Sequence, residues 1–140
     1  VIAVQHLSPI TGVKVGRPEY CKARSVKHCC QVVGRRRMSL ERKYDGEYCQ
    51  IHVDLSKRTN PLQIFSKSGK DSTADRVGIH HVLRESLRIG ERDCRFSSRC
   101  ILEGELLVWS DRHRKIMDFH KLRKFISRSG VLIGAENDSP

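Results

Sequence analysis

The chain reads as an α+β domain: an antiparallel β-sheet with flanking helices. Helical and alternating apolar periods follow one another in mixed order rather than as a strict strand-helix succession. Short extended runs are separated by turn residues, as in hairpin-connected sheets. With 140 residues, the chain is long enough for one modest core.

Each predicted element has a local reason. Ala23, Val26, Cys30 and Val33 recur at helical spacing, which predicts a helix from about Lys22 to Arg36, with Gly34 weakening its last turn. Met38 to Tyr44 reads as a strand and Asp45-Gly46 as a turn. A second strand should follow, in which Cys49, Ile51 and Val53 alternate with Tyr48, Gln50 and His52. Lys57 to Pro61 form a polar loop, Leu62 to Phe65 a short third strand, and Ser66 to Thr73 a small, polar, glycine-containing segment. Val77, His81, Leu83 and Leu87 predict a helix over Asp75 to Leu87, with Gly90 as its C-terminal cap. Cys100 to Trp109 reads as a strand, Ser110 to Arg114 as a polar connection, and His120 to Ser127 as a short helix. The sequence shows no internal repeat, low-complexity tract or clear domain boundary, so residues 1–140 are expected to form one domain.

Composition narrows the function classes. Val1 to Ile10 lacks the charged start and long apolar run of a signal peptide, and no later stretch resembles a membrane span. The expectation is a soluble intracellular protein. Cys21, Cys29, Cys30, Cys49, Cys94 and Cys100 form no C-x-x-C pair and no metal-ligand spacing with the histidines, so they read as small buried hydrophobes in a reducing compartment and no metal site is expected. His80-His81 reads as a partly exposed helix pair.

The formal charge is +11, and its distribution is uneven. Residues 1–43 carry 10 basic and 2 acidic side chains, residues 44–110 carry 10 of each, and residues 111–140 carry 7 basic and 4 acidic. The densest groups are Arg35-Arg36-Arg37 with Arg42, and Arg112, Arg114, Lys115, Lys121, Arg123, Lys124 and Arg128. Such flanks suit a polyanion, because each neutralised phosphate releases counterions. A solvated basic face or a nuclear-import signal is the alternative reading.

Two short motifs carry the candidate chemistry. Lys43 sits in Lys43-Tyr44-Asp45-Gly46, where a tight turn would point its amine out of a strand end. A lysine amine has an ordinary pKa near ~10.4, so a neutral nucleophile at pH 7 costs roughly 4 to 5 kcal/mol unless neighbouring cations or desolvation favour it. Arg42 and Lys67 are the candidate neighbours. Glu103 and Glu105 lie two apart in an apolar run, on one strand face opposite Leu102, Gly104 and Leu106. Two carboxylates on one face call for a partner such as ribose hydroxyls, a metal or arginines.

With these residues in view, the sequence from about Lys22 to Ser127 resembles the adenylation (nucleotidyltransferase) domain of ATP-dependent DNA ligases, and is most similar to fungal ligase-like proteins. Glu41-Arg42-Lys43-Tyr44-Asp45-Gly46-Glu47 resembles the family's first motif, Phe65 to Thr73 its F-S-R-N-x-x-D-x-T segment, and Ile101 to Glu105 its L-D-G-E motif. The resemblance implies a nucleotidyltransferase, ATP-grasp-like fold, incomplete at its C-terminal side. It also implies that Lys43 takes AMP from ATP and that Glu41 reads the adenine amino group. Lys67 would occupy an arginine position, and Glu105 would contact the ribose. Phe119 would pack against nicked DNA, with Arg42, Lys121 and Arg123 as further candidate DNA contacts. ATP, a divalent cation such as Mg²⁺ and nicked double-stranded DNA are the implied cofactors and partner, for a monomeric nuclear enzyme of DNA repair, recombination or replication.

Tyr48 and Lys67 stand where the family usually has arginines, and a lysine lacks the bidentate fork of an arginine. Further family motifs would lie beyond Pro140, so the expectation is a partial adenylation domain, inactive in isolation, with a lead-in over residues 1–21 and a tail over residues 129–140. RNA ligases and RNA-capping nucleotidyltransferases share the K-x-D-G chemistry and remain an alternative. A non-catalytic, basic DNA-binding remnant is an alternative of a different class.

Overall fold

The computed structural model describes residues 8–118. The chain falls into two compact units, one comprising Val1–Lys14 with Asp45–Pro140 and the other Val15–Tyr44.

In the larger unit, strand β1 (Glu47–Asp54) lies between β2 (Leu62–Phe65) and β3 (Arg99–Leu106), antiparallel to both. The alternation read from the sequence sets one face of β1 into the core. Cys49, Ile51, Val53, Leu62 and Ile64 are buried together, and Leu55, Ile79, Leu83, Leu87, Ile89, Phe96 and Cys100 pack against them. Between β2 and β3 the chain forms a 3-10 helix (Ala74–Ile79) that runs into an α-helix over His80–Ser86. A small hairpin follows β3, pairing β4 (Trp109–Ser110) with β5 (Lys115–Ile116). In the other unit, α1 (Val26–Val33) is capped by Ser25, whose hydroxyl accepts from the His28 amide, and ends at Gly34 with φ 61°. The helix over His80–Ser86 is α2.

Several elements depart from the sequence expectation, each for a physical reason. Residues 37–45 form no strand. A hairpin partner of β1 needs a free sheet edge, and β2 and β3 occupy both edges of β1. Asp45-Gly46 is accordingly a bend leading straight into β1, and no tight turn aims Lys43 from a strand end.

The predicted helix from Lys22 to Arg36 is shorter, Ala23 lying before α1, and Val26, Cys30 and Val33 do not form a buried face; the helix buries none of its residues, and Val26 is 82% exposed. The predicted helix from Asp75 is split by Arg76, whose φ of −124° and ψ of 26° shift the phase of the turns. Leu83 and Leu87 therefore face the core while Val77 and His81 are exposed. Gly90 is not the cap. The Arg88 amide donates to the Glu85 carbonyl and the Ile89 amide to the Arg84 carbonyl, with Arg88 at φ 56° in the left-handed position that glycine usually fills. The strand expected to reach Trp109 stops at Leu106, where the chain leaves β1. Of the six thiols only Cys49 is buried, and burial pushes it above the ordinary thiol range; Cys21 and Cys30 are exposed. The helix predicted over His120 to Ser127 lies outside the described residues, as do Phe119, Lys121 and Arg123.

Candidate functional site

The second face of the three-stranded sheet is polar, and its composition follows from register. Residues directly opposite one another share a face. Tyr48 pairs with Glu105, Gln50 with Glu103 and Phe65, and His52 with Ile101 and Gln63. Glu103 and Glu105 thus stand on this face, two residues apart and both exposed, as the sequence spacing requires.

Gln50 and His52 are 0% and 1% exposed, and their polar atoms are satisfied by a directed chain of hydrogen bonds. The Gly12 amide donates to His52 Nδ1 (3.0 Å). That nitrogen must therefore be unprotonated, so His52 Nε2 carries the proton and donates to Gln50 Oε1 (2.9 Å). The Gln50 amide group then donates to Tyr48 Oη (3.1 Å) and Glu103 Oε1 (2.9 Å), and the Tyr48 hydroxyl donates to the same Glu103 oxygen. Burial lowers the His52 pKa from its ordinary value, which agrees with a neutral ring. The Phe65 ring packs edge-on against His52, with centroids 4.9 Å apart.

This chain of bonds distinguishes the two carboxylates: Glu103 is held by Tyr48 and Gln50, whereas Glu105 lies beside Tyr48 in the next register position. Tyr48 is thus a hydroxyl donor to Glu103.

Beyond His52, about 13 Å along β1 from Tyr48, lies a cleft of about 220 Å³ lined by Thr11, Gly12, Asp54, Gln63, Asp71 and Thr73 among others. Its carboxylates are engaged. The Ser56 hydroxyl and amide hold Asp54 below the usual range. Burial alone would raise Asp71, but hydrogen bonds from the Thr73 hydroxyl and amide and from Gln63 outweigh it.

The Asp45-Gly46 end of β1 is held in two ways. A Cβ placed on Gly46 would lie 2.4 Å from the Leu106 carbonyl oxygen and 2.9 Å from Glu105 Cγ. Only a glycine lets the first motif close on the strand that carries Glu105. Arg76, 4% exposed, donates to Glu47 Oε1 (2.9 Å) and to the Tyr48 carbonyl (3.3 Å), clamping the first residues of β1. Its Nε has no partner.

Lys67 is exposed in the turn after β2, where Gly69 donates to the Ser66 carbonyl and Ser66 to the Lys70 carbonyl. Glu41, Arg42 and Lys43 are exposed members of the Val15–Tyr44 unit, with the Arg42 guanidinium 5.2 Å from the Tyr44 ring centroid. Among the described residues no cluster of three or more His, Cys, Asp or Glu could hold a metal ion. Sequence reading missed the roles of Gln50, His52 and Arg76. The available signal was Tyr48, Gln50 and His52 at strand spacing, three side chains that each both donate and accept.

An antiparallel sheet with one apolar and one polar face, the polar one edged by a glycine-fitted approach and a pair of carboxylates, defines a small α+β domain with a site on its open sheet face. The sequence model described as "ATP dependent DNA ligase domain" matches residues 19–137. The chain belongs to that family.

Its relatives include DNA ligase 4 of Dictyostelium discoideum, 32% identical over 93 residues, which are 66% of this chain and 8% of the relative. DNA ligase 3 of Schizosaccharomyces pombe is 30% identical over 99 residues, 71% of this chain and 12% of the relative. DNA ligase 4 of Coprinopsis cinerea is 32% identical over 111 residues, 76% of this chain and 10% of the relative. The chain thus spans only about a tenth of the length of these relatives. No solved structure matches it.

Proposed function

We propose that the full-length protein containing this chain is an ATP-dependent DNA ligase that seals nicks through a lysyl-AMP at Lys43. The observation that carries this reading is the β1–β3 register. It sets Glu47 opposite Leu106 and Tyr48 opposite Glu105, and so joins the end of the K-x-D-G motif to the L-E-G-E strand through the close approach at Gly46. The glycine that ends the K-x-D-G motif thus meets the end of the L-E-G-E strand, some sixty residues further on in sequence.

In the proposed reaction the Lys43 amine, having lost a proton, attacks the α-phosphate of ATP. A P–N bond forms, a P–O bond breaks, and pyrophosphate leaves. The AMP then passes to a DNA 5′-phosphate, and the 3′-hydroxyl across the nick displaces it. Glu41 reads the adenine, Glu105 the ribose, and Lys67 contributes a cation near the nucleotide. Arg42, Phe119, Lys121 and Arg123 contact DNA, where phosphate contacts fix position. The Mg²⁺ of this reading is the ion that accompanies the triphosphate.

The test is transfer of α-labelled phosphate from ATP to the full-length protein. Lys43→Ala is expected to abolish the covalent label. Undiminished labelling would refute the nucleophile, and DNA binding with no label in the unaltered protein would favour a non-catalytic nucleic-acid-binding role.

A further inference from the structure

Residues 12–14 lie against the polar face of the sheet. Gly12 is tied to His52 by its amide. Two residues on, the Lys14 ammonium sits 5.8 Å from the centroid of the Tyr48 ring. The Lys14 stem runs beside the turn that carries Lys67, since a Cβ added at Gly69 would come within 3.4 Å of Lys14 Cδ. Backbone tether, stem contact and ring contact together fix where this charge lies: above the residue that pairs with Glu105 in β3.

We propose that Lys14 is a nucleotide-contacting residue whose ammonium binds a phosphate oxygen of the nucleoside triphosphate handled at Glu105; this rests on the adenylation reading above. Two features favour a phosphate of the small nucleotide over one of DNA. The lysine is half-buried, with its stem enclosed between Gly69 and Tyr48, whereas side chains that track a nucleic-acid backbone stand open to it. It also lies over the direct cross-strand partner of Glu105, within one nucleotide's breadth of that carboxylate. The aromatic ring beneath favours a cation at this position.

The experiment uses the full-length protein and two variants. Lys14→Met keeps the stem and removes the charge; Lys14→Arg keeps the charge. Covalent AMP formation is measured against ATP concentration without DNA, and sealing of a nick whose 5′-phosphate already carries AMP is measured without ATP. Lys14→Met is expected to raise the KM for ATP by about tenfold, Lys14→Arg to recover most of that loss, and sealing of the pre-adenylylated nick to stay within about twofold of the unaltered protein. An unchanged KM in Lys14→Met overturns the proposal, as does a loss confined to the pre-adenylylated nick, which would make Lys14 a DNA contact. A loss that Lys14→Arg does not recover overturns it as well, because packing rather than charge would then be at work. If the unaltered protein forms no covalent AMP, the adenylation reading itself fails, and the Lys14 proposal with it.

Discussion

Gly46→Ala should destabilise the sheet although alanine is the smallest possible change. The added Cβ would meet the Leu106 carbonyl oxygen at 2.4 Å, Leu107 Cδ2 at 2.7 Å and Glu105 Cγ at 2.9 Å. The first contact is backbone at the end of the β1–β3 ladder, so relief requires the strand ends to move apart. Overpacking of this kind costs about 1–3 kcal/mol. Alanine also restricts the unfolded chain, which offsets about 0.4–1 kcal/mol. The net expectation is a loss of roughly 1–2 kcal/mol, or a urea midpoint lower by about 1 M at a slope of about 1–2 kcal/mol/M. Gly104→Ala is the internal control. It lies on β3 opposite Cys49, and a Cβ there meets nothing within 4 Å. Urea unfolding should leave Gly104→Ala close to the unaltered chain. Equal midpoints for Gly46→Ala and the unaltered chain, or an equal loss at both glycines, would refute the close-approach argument.

His52 gives a pH dependence of definite sign. Its folded pKa lies below the ordinary 6.5, so the unfolded chain binds the proton first as pH falls. Its contribution is complete above pH 6.5 and declines below it. Denaturant midpoints at pH 7.5 and 5.5 should therefore differ more in the unaltered chain than in His52→Asn, and an equal difference in both would exclude His52 as the source. The Glu47–Arg76 ion pair should be asymmetric: Glu47→Ala leaves a buried guanidinium unpaired, whereas Arg76→Met leaves a carboxylate with access to water. Glu47→Ala should cost about 3–5 kcal/mol and Arg76→Met clearly less, and the reverse order in urea unfolding would contradict the burial argument. Arg88→Gly relieves the left-handed backbone at φ 56° and should raise the melting midpoint by about 2–5 °C despite loss of the exposed contact to Asp93; a lower midpoint would show that the contact outweighs the backbone.

Strand content was most legible where patterning is local. Cys49, Ile51 and Val53 alternate, and Leu62 and Ile64 alternate in a short run bounded by polar loops; both became strands with those residues in the core. Glu103 and Glu105 share a face because side chains alternate along a strand, whatever packs on them. The candidate site was legible through its motifs, Lys43 with Asp45-Gly46 and Glu103 with Glu105, but its support was not. Arg76 lies 29 positions from Glu47, and Gly12 lies 40 positions from His52. No local period records such pairs.

Sequence alone established the paired carboxylates, the central strand, the basic flanks and the family resemblance, because these depend on residue type and spacing along one chain. The partnership of strands depended on tertiary structure. Met38 to Tyr44 has strand-like residues next to a turn signal, yet β1 had already paired with β2 and β3, and a strand has only two edges. Gln50 and His52 are part of the polar half of an alternation and are nevertheless buried, because Gly12 and Glu103 arrive from distant positions to satisfy their hydrogen bonds. Burying Gln50 and His52 is tolerable because their partners are in place, and those partners are supplied by the assembled fold rather than by any one segment.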